Sequence, residues 1–109
     1  MTKLFVVAGH GAGDPGACAN GYTEAERVRA LASRIKALGG NEVELGDMSV
    51  NWFASNTFSR VNIPAGAEVL ELHLDGATAS ARGGHVIIST QHSADNYDAI
   101  IAELKNYIV

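Results

Sequence analysis

The sequence predicts an α/β domain with an open, mixed but mostly parallel sheet flanked by helices, and three stretches carry that prediction. Lys3 to Ala8 is a continuous apolar run that ends in glycine, as expected of a strand buried on both faces. Apolar residues then recur at helical spacing from Val28 to Leu38. Val69 to Asp75 alternates, with Leu70, Leu72 and Leu74 on one face and Glu71, His73 and Asp75 on the other. Strand, helix and strand in succession make a right-handed parallel unit the expected arrangement.

Composition narrows the rest. The 109 residues are 47% apolar and 18% charged, which suits one folded domain over residues 1–109. A net charge of −4 without a dense Lys/Arg run argues against nucleic acid and anionic membranes as partners. Cys18 is the single cysteine, so no intramolecular disulfide forms. The opening Met-Thr-Lys-Leu-Phe-Val-Val-Ala is too short an apolar run for a secretory leader and reads as a strand. No stretch is long and apolar enough to span a bilayer, so synthesis in the cytoplasm without a signal peptide is expected.

In chain order, the first strand runs into Gly9-His10-Gly11-Ala12-Gly13-Asp14-Pro15-Gly16, where four glycines permit unusual dihedrals and close backbone approach. Thr23 and Glu26 fit a capping box at the start of a helix. Val28, Leu31, Ile35 and Leu38 form its apolar stripe, and Gly39-Gly40 ends it. Arg27, Arg29, Arg34 and Lys36 are expected on the solvated side. Glu42 to Leu45 alternates as a short strand near an edge. Within residues 46–66, Trp52, Phe53, Phe58 and Val61 suggest a short helix ahead of Pro64. The Val69–Asp75 strand follows as a central strand, then a small-residue loop from Gly76 to Gly84 and a strand from His85 to Ser89. Tyr97, Ile100, Ile101, Leu104 and Ile108 fall at the spacing of an amphipathic helix.

Two kinds of chemistry fit the glycine loop. Gly11, Gly13 and Gly16 spell G-x-G-x-x-G after a strand, but Pro15 removes an amide, Asp14 adds negative charge and the capping box begins seven residues later. A dinucleotide site needs the last glycine to open the helix directly. A metal site uses the same residues better. His10 stands at the carboxyl end of the first strand, and Glu24 lies on the buried side of the helix at its first turn. If the Val69–Asp75 strand is parallel to the first, His10, Glu24 and His73 converge on one sheet edge. Two imidazoles and a carboxylate, with a fourth position for water, make a catalytic zinc shell. Structural roles stay open beside it: His10 as a loop hydrogen-bonder, His73 as a satisfied core histidine, and Glu24 as a partner of the helix dipole.

Taken as a set, Gly9-His10-Gly11, Asp14-Pro15-Gly16-Ala17, Gly21, Glu24, Glu71-Leu72-His73-Leu74 and Gly83-Gly84-His85-Val86 resemble the zinc-dependent N-acetylmuramoyl-L-alanine amidases. The resemblance is to the catalytic domains of phage endolysins and bacterial autolysins, and runs from Leu4 to about Ser89. It implies an amidase-like three-layer sandwich and zinc ligation by His10, Glu24 and His73. It also implies peptidoglycan as substrate, cleaved between N-acetylmuramic acid and L-alanine at the cell wall. The family's general-base glutamate falls beyond Val109, so the chain is expected to be truncated at its C-terminus and to hydrolyse cell walls poorly alone. Glu71 is a weak substitute and better suited to orient His73, with Asp75 comparable. Glu103 reads as a solvated helix charge, and His85 and His92 carry no role from the resemblance. A catalytically incomplete metal- or peptidoglycan-binding module is the alternative, and a nucleotide-binding domain ranks last.

Overall fold

The computed structural model describes residues 2–54, 57, 60–75, 87 and 102–103. The chain divides into two compact units, Met1–Gly76 and Ala77–Val109. In the first, β1 (Leu4–Ala8) is followed by a small hairpin of β2 (Cys18–Ala19) and β3 (Tyr22–Thr23). Helix α1 (Glu24–Gly39), a 3-10 turn (Gly40–Glu42), β4 (Val43–Leu45) and β5 (Glu68–Leu72) complete it. The sheet order is β4-β1-β5 with both pairings parallel. The predicted α/β class with a mostly parallel sheet is therefore the class found.

Among the described residues the central strand is β1, and β5 flanks it. Phe5, Val6, Val7 and Ala8 are all 4% exposed or less, so β1 is buried on two faces. Val6 and Ala8 pack against Val28 and Ala32 of α1 and against Val43. Phe5 and Val7 pack against Trp52 on the opposite face. Each buried valine or phenylalanine among them contributes about 1.5–3 kcal/mol. This double burial is what anchors the strand end that carries His10.

The N-cap of α1 is as expected, with the Glu26 amide donating to Thr23 Oγ1 at 3.2 Å. Gly40, at φ 56°, turns the chain out of the helix. The apolar stripe differs from expectation. Ala25, Val28 and Ala32 are buried, whereas Leu31 and Leu38 are 47% and 76% exposed. Small residues on either side of Val28 let the helix sit close to the sheet, which rotates the leucines outward. Two of the basic residues are not solvated either. Arg29 is half-buried, and Lys36 Nζ donates to the Gly40 and Val43 carbonyls at the helix end.

Of the short helix expected ahead of Pro64, the described residues show turns at Trp52 and Phe53 and 3-10 conformation at Arg60. Asn51 Oδ1 accepts from the Phe53 amide, and the Thr57 hydroxyl donates to the Asn51 carbonyl. These bonds compete with a helical ladder at Asn51–Ala54, and the Ala54, Thr57 and Arg60 amides each donate to the carbonyl three residues back. Trp52 is buried, edge-on to Phe5, with its indole N–H on the Asp47 carbonyl at 2.7 Å. Phe58 lies outside the described residues.

β5 begins one residue earlier than expected and ends at Leu72 rather than Asp75. Its last rung is the Gly9 amide on the Leu72 carbonyl, 3.0 Å. Beyond it β1 has become the glycine loop and offers no further partner, so His73 and Leu74 leave the sheet. In the second unit, Ile87 is exposed and outside any strand, and Ala102 and Glu103 are helical and exposed. His85, His92 and the rest of the expected strand and terminal helix lie outside the described residues. No helix among the described residues is long and apolar enough to cross a membrane.

Candidate metal centre

The carboxyl edge of β1 and β5 gathers three potential ligands. One ligand atom from each of His10, Glu24 and His73 lies within 4.8 Å of the others. His10 lies two residues past β1, Glu24 opens α1, and His73 directly follows β5. His10 Nε2 is 3.2 Å from Glu24 Oε1, and His73 Nδ1 is 2.9 Å from Glu24 Oε2. The two imidazole rings stand edge to face, centroids 5.1 Å apart.

The glycines make this approach possible. A Cβ on Gly16 would lie 2.6 Å from Glu24 Oε1 and 2.8 Å from His10 Cδ2. A Cβ on Gly9 would strike the His73 ring. Ala12 (φ 44°) and Gly13 (φ 92°) form the tip of a tight turn closed by paired Gly11 and Asp14 main-chain bonds. His10 itself is held at φ 63°, a backbone region that costs an L-residue about 1–2 kcal/mol.

Both rings are held from behind. His10 Nδ1 lies 2.8 Å from Asp14 Oδ2, and His73 Nε2 lies 2.9 Å from Glu71 Oε1. A carboxylate behind each imidazole fixes which nitrogen faces inward, the usual support of a metal-ligating histidine. Glu24 is 4% exposed and accepts from the Ala17 and Leu74 amides at 3.0 and 2.9 Å. Burial alone would push its carboxyl up. Those two amides, the His73 ring and the charge of His10 outweigh burial and hold it below the usual range. Burial likewise pulls His73 down, but Glu71 and Glu24 outweigh it and hold the imidazole above its ordinary value. Asp14 is lowered by its bonds to His10 and the Gly16 amide.

The donor set fits zinc. Four-coordinate zinc with bonds of about 2.0–2.1 Å separates its ligand atoms by about 3.3 Å. The two inner contacts to Glu24 are close to that spacing before any rearrangement. Two imidazoles and one carboxylate leave a position open, as catalytic sites do. A phosphate fits badly. The Gly16, Ala17, Ala25 and Glu26 amides donate to Asp14, Glu24, Pro15 and Thr23, which leaves none of these four for a nucleotide.

Three contributors escaped the sequence. Asp14 reads in the sequence as a charge hostile to phosphate and as part of the resembling motif, but not as a partner of His10, although its place four residues after His10 in a glycine turn is a usable signal. Arg29 was assigned to solvent, yet it donates to the Gly9 and His10 carbonyls. Phe53 is 68% exposed and stacks on His10 at 4.8 Å between centroids, 6.4 Å from His73. It gives the centre an apolar wall open to solvent. Asp75 lies three residues beyond the strand, exposed.

A family model described as N-acetylmuramoyl-L-alanine amidase matches residues 4–108. The chain is also 36% identical, over an alignment of 121 positions, to a probable autolysin of Staphylococcus aureus. That alignment covers 94% of this chain and 25% of the relative, so the chain spans about a quarter of the length of the curated relative it matches. No solved structure matches.

Proposed function

The chain belongs to the N-acetylmuramoyl-L-alanine amidase family, and from that membership we propose that it is a zinc-dependent peptidoglycan hydrolase. The bond cleaved would be the amide between N-acetylmuramic acid and L-alanine. The observation that carries the zinc assignment is the pair of imidazoles facing one buried carboxylate, each backed by a second carboxylate.

His10 Nε2, Glu24 and His73 Nδ1 would hold the metal. Zinc bound there would polarise the scissile carbonyl and acidify a water molecule toward neutral pH. Glu24 supplies the negative charge that offsets part of the cation's, and its two backbone donors keep it ionised and in place. With the metal bound, Asp14 and Glu71 would accept from the outer nitrogens, so that the inner ones present lone pairs. Phe53 offers the apolar surface on which the substrate packs and limits water on its side of the centre. A general base must take the proton of that water and return it to the leaving amine. Among the described residues Glu71 is the candidate, but its bond to His73 suits it to orientation. The substrate implies action at the cell wall.

One preparation tests this with two readouts: zinc bound per chain, and new L-alanine amino termini released from purified peptidoglycan. One zinc per chain and cleavage, however slow, that disappears in His73→Ala are the expected results. One zinc without cleavage moves the function to a metal- and peptidoglycan-binding module. No bound zinc overturns the proposal.

A further inference from the structure

The guanidinium of Arg29 carries five N–H donors, and every one meets a main-chain carbonyl. Nε donates to Met48 (3.0 Å), Nη1 to Gly9 (2.9 Å) and Ala25 (3.2 Å), and Nη2 to His10 (2.7 Å) and Val50 (3.1 Å). These carbonyls belong to three separate pieces of chain: the loop after β1, the first turns of α1, and the segment after β4. The His10 carbonyl also accepts from the Trp52 amide at 3.2 Å. The loop is shaped to admit the guanidinium, because a Cβ on Gly11 would collide with Arg29 Nη2.

We propose that Arg29 is a positioning residue for the metal centre. It fixes the main chain of Gly9 and His10, and so the direction from which His10 Nε2 approaches Glu24. His10 sits in left-handed backbone that an L-residue leaves readily unless its neighbours hold it. Arg29 holds it from the helix that also carries Glu24, which makes the separation of the two ligands a property of one rigid element. A lysine would keep the charge but offers three donors from one point, and cannot span carbonyls from three segments. The inference rests on the metal assignment above, and deepens it by naming what sets the ligand geometry.

Cobalt(II), titrated into the full chain and followed by its visible absorption, reports both affinity and ligand geometry without any assay of hydrolysis. The wild-type chain is expected to give a four-coordinate spectrum. Arg29→Lys is expected to bind cobalt about tenfold more weakly, with shifted or weakened bands, in the range seen for lost orienting partners. Val28→Ala, one position away in the core and making none of the Arg29 hydrogen bonds, serves as the destabilised control and is expected to keep wild-type bands. Unchanged affinity and bands in Arg29→Lys overturn the proposal. So does an equal change in Val28→Ala, because the effect then follows general stability. Absence of cobalt binding in the wild-type chain overturns the metal assignment and this inference with it. If Arg29→Lys does not fold, Arg29→Gln, which keeps two donors on a shorter reach, is judged by the same outcomes.

Discussion

Two strand ends meet at the centre and are built differently. At the end of β1, His10 is set mainly by its main chain. Its φ is strained, its carbonyl is clamped by Arg29 and Trp52, and its side chain is only 12% exposed. At the end of β5, His73 simply continues past the last sheet bond. Its side chain is 35% exposed and its ring is oriented by two carboxylates, Glu24 and Glu71. Both rings meet two carboxylates, but only His10 is also held through its main chain. Pre-organisation of this kind reduces what the metal must rearrange, so the β1 side should tolerate least change and the β5 side should carry the pH sensitivity.

The largest effect tests what the two ends share. His73→Ala is expected to abolish stoichiometric zinc, checked by elemental analysis of the dialysed protein, and unchanged metal content would refute the ligand assignment. Next comes a direct contrast between two glycines. Gly16→Ala places a methyl group against both Glu24 and His10 at φ 68°, and should cost about 1–2 kcal/mol of stability from the backbone alone. For Gly9→Ala the nearest atoms all belong to the His73 ring, which can swing away. Calorimetric zinc titration should therefore show the greater loss for Gly16→Ala. Equal losses would erase the distinction between the two ends.

Whereas the glycines test backbone, the outer carboxylates test side chains. Asp14→Asn and Glu71→Gln are each expected to weaken zinc binding about 10–100-fold. The Glu71 variant should show the larger change in pH dependence, because Glu71 is the main group raising His73. The smallest expected effect is that pH dependence itself. With its imidazole raised, His73 stabilises the metal-free chain fully below about pH 6.5. That contribution fades as pH rises through its folded value. Zinc affinity runs the other way, since Nδ1 must lose its proton to bind. Melting curves of wild type and His73→Gln between pH 6 and 9, with and without zinc, should diverge in those opposite directions. A His73-dependent gain in metal-free stability with rising pH would contradict it.

Much of this was legible because it is periodic or punctuated. The apolar run of β1, the Thr23 cap, the glycine stop of α1 and the alternation at Val43–Leu45 each obey a local rule, and the structure follows them. His10, Glu24 and His73 could be gathered because parallel strands share a carboxyl edge. What escaped depends on segments without a period. Arg29 reads as solvated by its charge, and only the course of Met48–Val50 and the glycine loop brings carbonyls to its head. The outward turn of Leu31 depends on how closely alanines let α1 approach, which spacing alone does not state. The early end of β5 is set by its neighbour, since β1 stops offering bonds at Gly9.

The register of β1 with β5 also has a consequence for how the chain folds. His10 and Glu24 belong to one continuous strand-loop-helix segment, but His73 is 49 residues beyond Glu24 and arrives only when β5 pairs with β1. Closing such a loop is a late and slow event compared with forming α1. Zinc would then meet a two-ligand half-site first and a complete one only after that pairing. In a refolding experiment, capture of the metal would serve as a clock for the pairing of β5 with β1.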